Sequence, residues 1–333
     1  MPVRNEALFI GKTLQGFLNQ DYPRHRYEIL IVDGDSSDET VPIVQALQVG
    51  NDNLKLFSSP KRLASAARNI GVRHARGDYV AVVDGHCEID NPCYLANIAD
   101  AFARSGADCL GRPQPLDVSG ATPLQKAIAA ARSSWLGHHP ASFIYSDQEQ
   151  FVEPQSVAVA YRRAVFDKLG GFDEAFDACE DVEFNQRVHA AGLRCFFTPR
   201  IAVPYVPRGT LRGLFRQMAR YGRGRMRLLR KHPSSFSIAS LVPAFFLLGI
   251  IVGPLLSWFV PLCGVILAAC LTLYAIIVCG VSLSITWRAQ EIRLLPWLLL
   301  VFPTVHLGTG YGVLVELFTG FFRGAKPKCE GVA

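Results

Sequence analysis

The feature that most restricts this chain is the loss of charge in its second half. Ile238 to Phe259 and Pro261 to Ile285 contain no Asp, Glu, Lys or Arg, and each exceeds the roughly 20 apolar residues that cross a bilayer. With Val260-Pro261 between them, these runs are expected to form a helical hairpin in a membrane. Leu294 to Leu317 is a third apolar stretch, broken by Pro303, His306, the glycines and threonines around Gly310, and Glu316. It is expected either to span or to re-enter.

The net charge of +6 is concentrated just ahead of these runs, where Arg208 to Lys231 holds eight Arg and one Lys and no acid. Such a block reads as a cytoplasmic, lipid-facing flank rather than a nucleic-acid site, since anionic headgroups attract basic residues beside a span. Leu211, Leu214, Phe215, Met218 and Tyr221 recur at helical spacing, and Arg208, Arg212, Arg216 and Arg220 form a separate stripe. The expectation is a helix over 206–236 lying in the headgroup plane with its apolar stripe sunk into the interface. The nine cysteines lack the spacing of a zinc site and are expected to be reduced. The polar first half has no cleavable signal and is expected to stay in the cytoplasm.

That first half alternates strand and helix patterns. "YEILIVDGDSSDET" reads as an apolar strand running into a helix, "LKLFS" as a strand, "LASAARNIGVRHA" as a helix, and "YVAVVDG" as a further strand. This order predicts a largely parallel sheet with helices on its faces, whose ligands bind beyond the carboxyl ends of the strands. Asp33 and Asp84 both fall at such ends. Asp84, Gly85 and His86 can be a plain strand end with a glycine turn. Equally, Asp84 and His86 project to one side of an extended segment and can hold a divalent cation.

The strings "PVRNE" (Pro2 to Glu6), "QDYP" (Gln20 to Pro23), "IVDGDSSDET" (Ile31 to Thr40), "ARNIGVRHARGDYVAVVDGH" (Ala67 to His86), "LGGFDEAF" (Leu169 to Phe176) and "EDVEFNQRV" (Glu180 to Val188) occur in this order. Together they resemble the inverting family 2 glycosyltransferases of the GT-A fold, an α/β nucleotide-diphospho-sugar transferase with a mixed sheet. The Arg after "PV", the Asp-Gly-His in place of Asp-x-Asp and the later "QMARYGRGR" most resemble the ExoA-like glucosyltransferases of succinoglycan and related exopolysaccharide synthesis.

The resemblance implies roles residue by residue. Pro2, Arg4 and Glu6 match the first loop of the nucleotide pocket, and Asp33 the acid that reads the base, which suits the N–H of a uracil imide. Arg68 matches a basic residue near the base or phosphates, though it can equally be a surface helix residue paired with Asp78. Asp84 and His86 occupy the Asp-x-Asp positions, Asp84 at ribose or metal and His86 as the more direct ligand. A divalent cation there neutralises the diphosphate leaving group, and an imidazole ligand favours Mn²⁺ over Mg²⁺. In the Glu-Asp pair, Asp181 corresponds to the general base and Glu180 to a group that orients the acceptor. Glu183 reads as structural, and His138, His139 and His189 as surface or packing residues. Gln217-Met-Ala-Arg220-Tyr221 is similar to the Gln-x-x-Arg-Trp segment of membrane polysaccharide synthases, near donor pyrophosphate and acceptor, with Tyr in place of Trp.

The expected organisation is a GT-A domain over 1–205, the basic helix over 206–236, and a membrane region over 237–333 with two or three spans. In the family "PVRNE" closes the first strand, so with only Met1 ahead of Pro2 that strand is expected to be missing or truncated. The expected activity is transfer of a sugar, with glucose from UDP-glucose foremost, to a polyprenyl-linked saccharide at the inner membrane. Alternatives are a polyprenyl-phosphate glycosyltransferase, a small processive synthase, or a non-catalytic membrane scaffold.

Overall fold

The computed structural model describes residues 1–138, 143–144, 146–235 and 237–323; His139 and the stretch 324–333 lie outside them. The chain forms two compact units, Met1–Leu116 with Ala141–Tyr205, and Asp117–Pro140 with Val206–Ala333.

In the first unit, β1 (Pro2–Val3), α1 (Ile10–Leu18), β2 (Ile29–Asp33), α2 (Thr40–Gln48), β3 (Leu54–Ser58), α3 (Ala64–His74), β4 (Tyr79–Ala81), α4 (Tyr94–Ser105) and β5 (Cys109–Gly111) follow in order. After α5 (Pro123–Arg132), which packs in the second unit, come β6 (Gln150–Val152), β7 (Ala158–Arg162), α6 (Arg163–Leu169), α7 (Glu180–Ala190) and β8 (Cys195–Phe197). Strands β1, β2 and β3 make an all-parallel sheet. The slot beside β2 is taken by Met1–Val3, with Val32 N–H donating to Met1 O at 2.9 Å and Gly34 N–H to Val3 O at 2.8 Å.

The second sheet has the order β4-β7-β5-β8-β6 and is mixed. Here the prediction of a largely parallel sheet needs amending: β7 enters antiparallel between β4 and β5, and β6 runs antiparallel to β8. Because β7 opposes both neighbours, β4 and β5 point the same way, and β8 runs parallel to β5. Their carboxyl ends therefore share one edge. Continuous apolar strands such as "ILIVD" are buried on both faces, as parallel strands require. Ile31, Leu14, Phe102, Leu110 and Ile201 form one core, and Cys109, Tyr161, Phe166 and Phe184 form another beneath α7.

The second unit contains α5, α8 (Leu211–Lys231), α9 (Ile238–Phe259), α10 (Pro261–Ala289) and α11 (Leu295–Arg323). Thr122 starts α5 with a reciprocal cap: its Oγ1 accepts Gln125 N–H at 3.3 Å, and its own N–H donates to Gln125 Oε1 at 3.1 Å. The sequence reading assigned this segment to the soluble domain. Its Ala127, Ile128 and Ala131 face is instead buried with Leu214 and Met218 of α8 and Leu298, Val301 and Phe302 of α11.

Helices α9 and α10 meet at Val260, the last cap of one and the first of the other. Both are long and apolar enough to cross a membrane, and only 6% of the most apolar window of each is buried in the protein. The third stretch is one unbroken helix that runs through Pro303, so no re-entrant turn forms. Its window is 44% buried, which makes it the helix the others pack on.

The glycines of α11 explain that burial. A methyl group added at Gly312 would lie 2.0 Å from Ala219 O of α8, one at Gly222 2.3 Å from Thr309 O, and one at Gly310 2.2 Å from Pro243 O of α9. Small residues let helix backbones approach, which is how helices associate where lipid removes the hydrophobic drive. Glu316 is buried because Arg227 (3.1 Å) and Arg230 (3.2 Å) of α8 pair with it. The apolar stripe of α8 is thus occupied by protein: Leu214 and Met218 are buried against α5 and α11 rather than left for lipid. Arg208, Arg212, Arg216 and Arg220 remain exposed.

Replacing Gly312 with Ala should therefore cost about 1–3 kcal/mol, the usual range for overpacking, in unfolding of the full chain in mixed micelles. Gly249, on α9 with nothing within 4 Å of an added methyl, should accept Ala without loss. Equal stability of both variants would contradict the close approach.

Candidate active site

The loops that follow β1, β2 and β3 are bound to one another. Ser36 donates from Oγ to Asp33 Oδ1 at 2.5 Å and accepts Asn5 N–H at 2.9 Å; Ser37 N–H donates to Asn5 Oδ1 at 2.8 Å. Glu6 N–H reaches Thr40 Oγ1 at 2.7 Å and Ala7 N–H reaches Asp38 Oδ2 at 3.1 Å. Asn5, Asp35 and Arg62, one in each loop, have φ near +55 to +61°, and Arg62 pairs with Asp35. Non-glycine residues held there concentrate at functional sites. Asp33 is buried, and both of its oxygens accept from Ser36, so Ser36 completes the acidic group the sequence identified.

Asp84-Gly85-His86 passes directly beneath the β1 loop. A methyl group at Gly85 would lie 2.7 Å from Val3 Cγ1 and 3.2 Å from Glu6 Cγ, and Gly85 O accepts Thr13 Oγ1 at 2.9 Å. Glycine is required there by proximity. His86 Nδ1 lies 3.0 Å from Glu6 Oε1, and its ring meets Tyr205 edge-on at 6.3 Å. Glu6 thus contacts His86.

Arg68 pairs with Asp84 and Glu180, not with Asp78. Its side chain, 9% exposed, places Nη2 3.3 Å from Asp84 Oδ1 and Nη1 2.9 Å from Glu180 Oε1, while Phe172 lies 5.5 Å beneath the guanidinium. Burial acts to lower the Arg68 pKa, but Glu180, Asp84 and Asp181 raise it overall. Burial acts to raise that of Asp84, and Arg68, with His86 and Arg112, holds it below its ordinary value. Glu180 moves the other way: burial pushes it up, Arg68 offsets part of this, and Asp181 adds repulsion.

The Glu-Asp pair therefore divides into two environments. Glu180 is buried and its carboxylate is turned to Arg68. Asp181 is exposed at the first turn of α7, its Oδ1 accepting Val182 N–H at 2.8 Å. Cys179, with φ of +62°, turns the chain into this helix. Glu183 is fully buried and pairs with Arg187 at 3.0 Å, as a structural residue would. His189 pairs with Glu153 near the surface, and His138 is partly buried.

Sequence reasoning missed Asn69, Ser65 and Arg112. Asn69 Nδ2 donates to Phe172 O at 2.9 Å, Asn69 Oδ1 accepts Phe172 N–H at 2.7 Å, and Ser65 Oγ donates to Phe176 O at 3.2 Å. The "ARN" and "GGFDEAF" strings are thus halves of one joint that brings α7 to Arg68. A buried Asn on a helix was the available signal. Arg112, one residue past β5, is buried at the same strand edge as Asp84.

Pro2 lies in β1 and Arg4 is exposed in the loop after it. Gln217, Arg220 and Tyr221 belong to the second unit, where Gln217 Nε2 donates to Tyr221 Oη at 3.3 Å and Arg132 lies 5.9 Å from the Tyr221 ring. Among the described residues no group of three His, Cys, Asp or Glu side chains could alone hold a metal ion. Asp84 and His86 supply a carboxylate and an imidazole, the partial set expected where substrate phosphates complete the coordination.

The model of glycosyl transferase family 2 matches residues 1–170, and that of glycosyl transferase family group 2 matches 91–283. The chain belongs to glycosyl transferase family 2. Succinoglycan biosynthesis protein ExoA of Rhizobium meliloti is 31% identical over 245 residues, 73% of each chain. A Methanococcus voltae protein, described as dolichyl N-acetyl-alpha-D-glucosaminyl phosphate 3-beta-D-2,3-diacetamido-2,3-dideoxy-beta-D-glucuronosyltransferase, is 27% identical over 330 residues, 96% of each. The mannosyltransferase PcManGT of Pyrobaculum calidifontis, solved with GDP-Man and Mn²⁺, superposes with a TM-score of 0.62 at 20% identity, covering 96% of this chain and 86% of that one. This family 2 glycosyltransferase has the GT-A fold, followed by three helices long and apolar enough to span a membrane.

Breaking the Arg68 to Glu180 pair from one side should be costly. Arg68→Met should lose about 3–5 kcal/mol in unfolding of the full chain, because it leaves Glu180 buried without its cation. The Arg68→Met/Glu180→Gln double variant should lose less than the two single variants summed, by more than about 1 kcal/mol. Additive losses would mean that the pair is not coupled.

Proposed function

We propose that this glycosyltransferase moves a sugar, with glucose from UDP-glucose as the leading donor, onto a lipid-linked oligosaccharide at the cytoplasmic face of the inner membrane. The observation that carries the reading is the buried Arg68, which joins the Asp84 strand end to the Glu180-Asp181 turn. It pairs with Asp84 on the donor side and with Glu180, the chain neighbour of Asp181.

In this reading the joined loops after β1 to β3 hold the nucleotide, with Pro2 and Arg4 in the first loop and Asp33, braced by Ser36, receiving the uracil N–H. Asp84 and His86 would hold a divalent cation, Mn²⁺ before Mg²⁺, which when bound supplies positive charge to the diphosphate leaving group. Glu6 orients the His86 ring. Arg68 positions Asp84 and faces the phosphates. Asp181 accepts the proton of the acceptor hydroxyl at Oδ2, since Oδ1 already receives Val182 N–H, and attack from the face opposite the leaving group inverts the anomeric carbon. Glu180 acts through Arg68, as a positioning residue.

The names of the relatives support a lipid-linked acceptor: one describes transfer to a dolichyl-phosphate-linked sugar and another succinoglycan biosynthesis. The basic block ahead of α9 supports the cytoplasmic orientation. On α8, Gln217, Arg220 and Tyr221 are assigned to the acceptor and pyrophosphate region, and the exposed Arg212 and Arg216 to lipid phosphates.

The test is mass spectrometry of products formed by the full chain in anionic nanodiscs from native lipid extract and a panel of nucleotide sugars. One hexose added to a lipid-linked saccharide, from a UDP-sugar alone, is the expected product; transfer only from GDP-sugars would overturn the donor assignment. Asp181→Asn should lower turnover by about 10²–10⁴, the usual contribution of a general base, with UDP affinity within about twofold of the parent. Chelator should abolish transfer, and Mn²⁺ should restore it better than Mg²⁺. An active Asn variant, or full activity in chelator, removes the corresponding role.

A further inference from the structure

One cation at the strand edge forms no ion pair among the described residues. Arg112 directly follows β5, whose carboxyl end points the same way as that of β4, so Arg112 and Asp84 are on one edge, separated by β7. The residue is 7% exposed. Its Nη1 reaches only Pro113 O at 3.5 Å and Val203 O at 3.4 Å, both at the limit of hydrogen bonding, and its Nε is buried with no partner. No ion pair ties it to a carboxylate among the described residues.

Other arginines of the same unit show what a structural role looks like here. Arg162 donates to Ala107 O at 2.7 Å and Phe102 O at 3.2 Å, and Arg187 reaches Leu169 O and Gly171 O at 2.7 Å each while pairing with Glu183. Arg112 has neither the short carbonyl bonds nor the carboxylate. Burying a guanidinium without an anion is unfavourable by several kcal/mol, and the unfavourable term is removed when a ligand brings the anion. Its field already reaches the edge in question, since it helps to hold the Asp84 carboxyl low.

We infer that Arg112 is an anion-binding residue of the donor site and takes an oxyanion of the nucleotide sugar, supplied either by the diphosphate or by a carboxylate on the sugar. This rests on the proposed donor site at the same edge. A guanidinium presents a planar fork of donors that matches either group, and Nε is the donor without a protein partner.

The two sources separate by ligand. Dissociation constants would be measured by calorimetry for the full chain in micelles with uridine, UDP, UDP-glucose and UDP-glucuronate, comparing the parent with Arg112→Gln and Arg112→Lys. If Arg112 takes the diphosphate, Arg112→Gln should weaken UDP and both UDP-sugars by about tenfold or more, as for a lost charge-assisted bond, and leave uridine unchanged. If it takes a sugar carboxylate, only UDP-glucuronate should weaken. Arg112→Lys keeps the charge without the fork and should show the same pattern at several-fold, which serves if the Gln variant does not fold. Variants that melt lower yet bind every ligand within twofold of the parent would make Arg112 a brace on Pro113 and Val203 and overturn the assignment alone. A parent chain that binds neither UDP nor UDP-sugars would overturn the donor-site reading and this assignment with it.

Discussion

The buried guanidinium of Arg68 is the contact on which the site depends. It comes from α3, which packs on the parallel sheet, and it holds Asp84 from the end of β4 and Glu180 from the start of α7. A charge that deep is costly without partners in good geometry, so its two pairings constrain the three elements together. Asn69 and Ser65, on the same helix, fix the loop that delivers α7 by satisfying backbone groups of Phe172 and Phe176. The outcome is a division of labour between adjacent acids. Glu180 is held inside against the cation, and Asp181 is exposed with Oδ1 accepting Val182 N–H.

The second unit follows a different constraint. Where lipid surrounds the helices, apolar burial cannot sort them, and backbone proximity does. Gly308, Gly310 and Gly312 of α11 face α8 and α9 with no room for a side chain, and Glu316 is acceptable in an apolar helix because two arginines of α8 meet it. The basic helix is therefore fastened along one side by packing and along part of its length by charge. Arg212, Arg216, Arg220 and Arg225 are exposed, and Arg223 is half-buried.

How much of this was legible in the sequence varied with how local the signal was. The acidic strand ends, the Asp-Gly-His turn and the Glu-Asp helix start were readable because each is a short pattern with a chemical reason. The helices α9 and α10 were readable from charge alone. Arg68 could not be separated from a surface arginine, because helical periodicity does not reveal which carboxylates arrive from distant segments. The stripes of α8 were correctly seen as amphipathic, but a periodic apolar face tells that it is covered and not by what; here the cover is α11 and α5. The antiparallel β7 between β4 and β5 is a non-local pairing with no mark in its own residues. The glycines of α11 read in the sequence as breaks because their value lies in a neighbour. Arg112 carries no motif, and its lack of a partner exists only in three dimensions.

The central claim is that the donor nucleotide binds at the carboxyl ends of β1 to β4, above the Arg68 pair. Photolabelling the full chain in anionic nanodiscs with a base-azido UDP-sugar, followed by peptide mass spectrometry, addresses it directly. Label should appear on peptides carrying Pro2 to Glu6 and Asp33 to Asp38 and disappear when excess UDP is present. UDP-sensitive label confined to other peptides, with none on these loops, would contradict it.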